Sequence, residues 1–136
     1  MHSAHYAKKA TKMAPHADYA LEKLRATVRI LVTYPGDIRQ RLLCAAEAFQ
    51  FIPLGVIPDF HGVHDDLKWI QAQITRNEPQ YEGQSIIAAS IDRMRSKRAV
   101  KIAERILAAE SKLNAYVQDE LAQLQLAVTS SAVPSP

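Results

Sequence analysis

Apolar residues recur along most of this chain at spacings of three and four, the period of one helix face. Leu21, Leu24, Val28 and Leu31 form the first such stripe and predict a helix over 17–33. Asp18 is placed to cap that helix or to favour its first turn. Lys23, Arg25 and Arg29 fall mainly away from the stripe. Thr33-Tyr34-Pro35-Gly36-Asp37 interrupts the pattern, because Pro35 disfavours helical geometry at Tyr34 and suits the start of a new helix. The second helix is expected to run to about residue 50, with Ile38, Leu42, Ala45 and Phe49 inward. So short a turn makes the pair an antiparallel hairpin. Cys44, flanked by Leu43, Ala45 and Ala46, reads as a small buried hydrophobe.

Residues 51–62, FIPLGVIPDFHG, hold two prolines and two glycines and cannot continue a helix. Loops are usually polar and superficial, yet Phe51, Ile52, Leu54, Val56, Ile57 and Phe60 are apolar. The segment is expected to cross the helices as a lid on the core, or to present an apolar patch to a partner. A third helix, from 61 or 63 to 76, carries Val63, Leu67, Ile70 and Ile74 inward. Trp69 lies off that stripe, as a Trp at an edge or interface does. Asn77-Glu78-Pro79 ends the helix, and a loop continues to about Gly83.

The region 84–126 is too long for one ordinary globular helix, and its phase breaks. Ala99, Ile102, Ala103 and Ile106 share a face opposite Lys97, Arg98, Lys101 and Arg105. Projected back, Met94 would fall among the basic residues and Arg95 among the apolar ones. A short helix over 85–95 and a long one over 97–126 resolve the conflict, with Ser96 as the N-cap. Leu113, Val117, Leu121 and Leu124 continue the apolar spacing. The end of this helix is expected to extend past the bundle and offer a route to a homo-oligomer. Residues 1–16 read as a mobile basic arm, 17–126 as a single helical domain, and 127–136 as a disordered tail.

Composition agrees with an all-α, compact bundle of about five helices. Among 136 residues, 48% are hydrophobic, Ala is the commonest type and Gly occurs 4 times. That length suits one domain and excludes a multidomain enzyme. A single cysteine excludes a disulfide scaffold and fits a reducing compartment. No stretch has the length of a membrane span or the core of a signal peptide. The expectation is a cytoplasmic protein without a membrane association. Net charge is +3, unevenly placed: residues 1–16 carry +3, residues 91–105 carry +4, and the remainder carries −4.

Two clusters carry candidate chemistry. In His61-Gly62-Val63-His64-Asp65-Asp66, imidazole and carboxylate are ligand types for Zn, Mn or Fe. His61, His64 and Asp65 are therefore the candidate metal ligands. The His-Asp doublet resembles that of HD-type metal phosphohydrolases, which implies a further His upstream and an Asp downstream. His16 and Asp92 or Asp119 are the candidates. The alternative reading leaves Asp65 and Asp66 as first-turn carboxylates complementing a helix dipole, with no metal and no cofactor. No Gly-rich phosphate loop, G-x-S-x-G, paired-Cys motif or H-E-x-x-H occurs.

The second cluster is the basic stripe, Lys97, Lys101 and Arg105 with Arg98 beside them. Such a face attracts phosphates or acidic protein surfaces. Duplex binding would want a helix-turn-helix, but Arg95-Ser96-Lys97 has no Gly in its turn. Aromatic residues are scarce near the stripe in sequence, which argues against stacking on single strands.

The segment Arg93-Met94-Arg95-Ser96-Lys97-Arg98-Ala99-Val100-Lys101-Ile102-Ala103-Glu104-Arg105-Ile106 is similar to a segment of small uncharacterised helical proteins of proteobacteria and their prophages. The turn Pro35-Gly36-Asp37-Ile38-Arg39-Gln40-Arg41-Leu42 resembles the same group. That likeness implies association with mobile elements, as an accessory or inhibitor protein, and no activity. Ile57-Pro58-Asp59-Phe60 followed by Asp65-Asp66 resembles a motif of small membrane-associated helical proteins, whose long apolar helices are missing here. The leading expectation is a non-enzymatic binding or regulatory protein. Its contact surface would join Lys97, Arg98, Lys101 and Arg105 to Phe51, Phe60 and Trp69. A protein partner ranks ahead of nucleic acid. The alternatives are the metal phosphohydrolase and a DNA-binding regulator.

Overall fold

The computed structural model describes residues 15–57 and 59–132, and among these it contains five α-helices and no strand. They are α1 (Pro15–Thr33), α2 (Ile38–Phe49), α3 (Val63–Ile74), α4 (Ile86–Asp92) and α5 (Ser96–Ala132), with a 3-10 turn at Leu54–Val56. The N-terminal arm expected over 1–16 lies almost wholly outside the described residues, as do the last four positions of the expected tail. Among the described residues, no helix is long and apolar enough to cross a membrane.

The α1–α2 hairpin forms where Pro35 and Gly36 predicted it, and its turn is built by side chains. Asp37 caps α2 by accepting from the Gln40 amide at 2.9 Å, while Gln40 Oε1 accepts from the Asp37 amide at 2.8 Å. This reciprocal box satisfies two donors that a helix start leaves open. Gly36 is required beside it: its φ is +109°, and a Cβ there would stand 2.5 Å from Gln40 Oε1. Arg41 donates to the Gly36 carbonyl at 3.1 Å and to the Leu31 carbonyl at 2.9 Å. A guanidinium thus sits at the negative end of α1.

The core lies where α1, α2, α3 and α5 meet. Leu21, Leu24, Leu42, Leu67, Ile70, Ile74, Ile102, Ile106 and Leu113 are among its fully buried side chains. Ala17, Ala20, Ala45, Ala99 and Ala109 are also buried, and their small size lets the backbones approach closely. Ile52 and Ile57 of the Pro/Gly loop are buried in the same cluster, so part of that loop does cover the core. Val28, Ile38 and Cys44 are only half-buried. Thr27 is fully buried instead, its hydroxyl donating to the Lys23 carbonyl at 2.8 Å.

The phase break before α5 is real, though α4 is shorter than expected. Ser85 caps α4 through a 3.0 Å bond from the Ala88 amide. Buried Ser90 accepts from the Asn77 amide at 2.9 Å and donates to the Ile86 carbonyl at 2.8 Å, tying the 75–84 loop to the helix. α5 starts at Ser96, so Ser96 is its first residue and not its cap. It continues to Ala132, which corrects the expectation of a tail from 127. At 37 residues it is about 55 Å long. Among the residues described through 129, its last buried one is Val117, so the portion beyond runs past the core as expected.

Candidate functional site

α3 and α5 pack side by side, and four pairs set their register. Asp66 is buried and accepts from Arg105 at 2.5 Å and from Lys112 at 2.7 Å. One turn further along α3, Trp69 lies under the same guanidinium, 4.9 Å from Arg105 Cζ to the ring centre. Next, Gln73 accepts from Arg98 at 2.5 Å. Burial alone would raise the Asp66 pKa, but the Arg105 and Lys112 hydrogen bonds and charges outweigh it and hold the carboxyl below its ordinary value.

This register places Trp69 in an open groove of about 540 Å³ at the start of α5. Trp69 and buried Met94 supply its apolar lining. Arg93, Arg95, Lys97, Arg98 and Lys101 surround them, and among the described residues no carboxylate lines the groove. Among the described residues none of these five cations forms an ion pair; the pairs are Arg25–Glu110, Arg105–Asp66 and Lys112–Asp66. A smaller hollow of about 250 Å³ shares Arg93, Met94 and Arg98 and adds Arg76, again without a carboxylate among the described residues. The positive end of the α5 dipole adds to the same field.

The structure thus sorts the residues expected to bind. Lys97, Arg98, Lys101 and Trp69 come together in the groove. Arg105 is outside its lining and holds Asp66 and Trp69 instead. Phe51 and Phe60 are elsewhere, so the expected single surface is divided. Phe51 is exposed near Lys23, 5.9 Å from Nζ to the ring centre. Phe60 packs edge-on against Tyr116, 5.4 Å between centroids. Tyr116 lies 15 residues along α5 from Lys101, about 22 Å of helix. Sequence reasoning missed Arg93 and Arg95 as members of the site, and it missed Asp66 as the anchor. The scarcity of aromatics near the stripe holds in sequence only, because α3 delivers Trp69.

The candidate metal ligands have other environments. His64 Nε2 bonds to the Ile57 carbonyl, and the His64 amide donates to Asp59 Oδ1 at 3.1 Å. His61 has a φ of +53° and its ring packs against Phe60 at 4.2 Å. Asp65 is exposed in the first turn of α3. Among the described residues, no group of three or more His, Cys, Asp or Glu is arranged to hold a metal ion. No family model, curated protein or solved structure matches the chain.

Proposed function

We propose that this protein acts by binding, as a small regulatory or accessory module that captures an acidic macromolecule in the groove at the start of α5. The observation that carries this reading is the set of five cations around Trp69 and Met94 with no carboxylate among the described residues in the groove lining. Cations in the first turn of a helix are unfavourably placed against its dipole, and an incoming anion relieves both that cost and their mutual repulsion. The apolar lining adds desolvated contact area to the charge. Phe51 and Phe60 are not part of this site.

The test is retention on a heparin column. Lys97→Glu with Lys101→Glu should elute at clearly lower salt than the unmodified protein, with unchanged helical content. Lys23→Glu with Arg29→Glu makes the same charge change on α1, away from the groove, and should shift elution much less. Equal shifts from the two pairs would reduce the effect to net charge and remove the support for a site.

A further inference from the structure

We infer that the groove is a single-stranded nucleic-acid site, in which an unpaired base stacks on Trp69 and the flanking phosphates lie on Arg93, Arg98, Lys97 and Lys101. This rests on the reading of the groove as an anion site and names its ligand. Three features separate a single strand from other acidic partners. The first is the aromatic in the lining: an indole surrounded by cations matches a nucleotide, whose π-face lies between charged phosphates. Trp69 is half-buried, and Arg105, itself held by Asp66, fixes its orientation. A stacking platform held in place loses little entropy when a base arrives.

The second feature is shape. The site is a concavity between α3, the α4–α5 turn and the start of α5, with a volume suited to a nucleotide. A duplex offers its bases only to elements that project into a groove, and here the aromatic is recessed. A splayed strand delivers its bases into such a recess. The third is continuity. The hollow beside Arg76 shares Arg93 and Arg98 with the groove, so the cationic surface continues beyond one nucleotide, as a strand requires. Lys97 and Lys101 rise about 6 Å along α5, a step comparable to the reach between successive phosphates. Three arginines among these cations suit planar, forked contact with phosphate oxygens.

The chain has one tryptophan, so its fluorescence reports on this site alone. The experiment titrates the full chain with a 12-nucleotide oligo(dT) and oligo(rU), a 12-base-pair duplex, and polyglutamate, following Trp emission and the anisotropy of labelled probes. The single strands should quench Trp69 and bind more tightly than duplex or polyglutamate. A log–log salt slope of about −2 to −3.5 is expected for three to five phosphates. Trp69→Ala should weaken oligonucleotide binding roughly 5- to 100-fold, and Trp69→Phe, which keeps a ring, should recover most of it. Circular dichroism on both variants checks the fold, and Trp69→Phe keeps the test valid if Trp69→Ala unfolds. Oligonucleotide binding without quenching, and unchanged in both variants, would overturn base stacking. Tighter binding of polyglutamate would overturn the nucleic-acid assignment while leaving an acidic-partner site intact. Failure of every probe, together with heparin retention indifferent to Lys97 and Lys101, would overturn both readings.

Discussion

Asp66 and Arg105 stand 39 positions apart in the chain and meet at 2.5 Å, and the same guanidinium lies over one face of the Trp69 ring. The pair joins what holds α3 to α5 with what positions the groove's aromatic. Removing the acid leaves Arg105 and Lys112 facing each other, although each keeps about a third of its side chain in solvent. Asp66→Ala should therefore destabilise the fold by about 2–4 kcal/mol, toward the lower part of the range for a broken buried pair. Denaturant unfolding measures this. Because Arg105 loses its anchor, Trp69 emission should also shift to longer wavelength in the folded variant.

The depressed pKa of Asp66 sets an acid limit. A carboxyl whose folded pKa lies below its unfolded value adds stability above that unfolded value, 3.8, and loses it as pH falls through the folded one. Stability should be flat in this contribution from pH 7 to about 5 and fall below about 4. In Asp66→Asn that part of the acid slope should vanish. Thermal unfolding of the two proteins between pH 2.5 and 7 checks it, and parallel slopes would assign the acid sensitivity to other carboxylates.

Glycines 36 and 55 should respond in opposite ways. Gly36→Ala forces a side chain to φ +109° and drives Cβ into the Gln40 amide, so it should cost about 1–2 kcal/mol. Gly55 has open space at its Cβ position and no positive φ, so alanine there should be neutral or stabilise by up to about 1 kcal/mol. Chemical denaturation of the two variants separates a turn that demands glycine from one that tolerates it.

Binding and stability should trade against each other at Lys97. A negative side chain in the first turn of α5 complements the dipole and reduces repulsion among the groove cations. Lys97→Glu should raise stability by about 0.3–1 kcal/mol while weakening retention on heparin. A thermal melt beside the binding assay tests whether the cation is kept at a cost to the fold.

Much of the fold was readable because its determinants are local. The stripe Val63, Leu67, Ile70 and Ile74 is buried throughout, and the conflict at Met94 and Arg95 located the break before α5. The extension to Ala132 was not readable, since it has no core-facing period; once a helix is nucleated, continuing it costs little. The groove was half readable. Lys97, Lys101 and Arg105 look equivalent at a spacing of four, but each step rotates about 40° around the helix. Two steps carry Arg105 away from the groove and over Asp66. One signal could have shown this: Asp66 falls on the apolar stripe of α3, between Val63 and Ile70, where an acid needs a partner. Trp69 could not have been assigned to the groove, because only the α3–α5 register brings it there.

The Asp37–Gln40–Arg41 turn bears on the order of folding. Its bonds join residues within ten positions of one another, so the α1–α2 hairpin closes with little loop entropy. The Asp66–Arg105 and Asp66–Lys112 pairs must close loops of 39 and 46 positions. Refolding is expected to form the hairpin early and to seat α5 on α3 late. Substitutions at Gln40 or Arg41 should slow folding, whereas those at Asp66 should mainly speed unfolding. The groove, whose walls come from α3, the α4–α5 turn and the start of α5, would then be complete only at the end of folding.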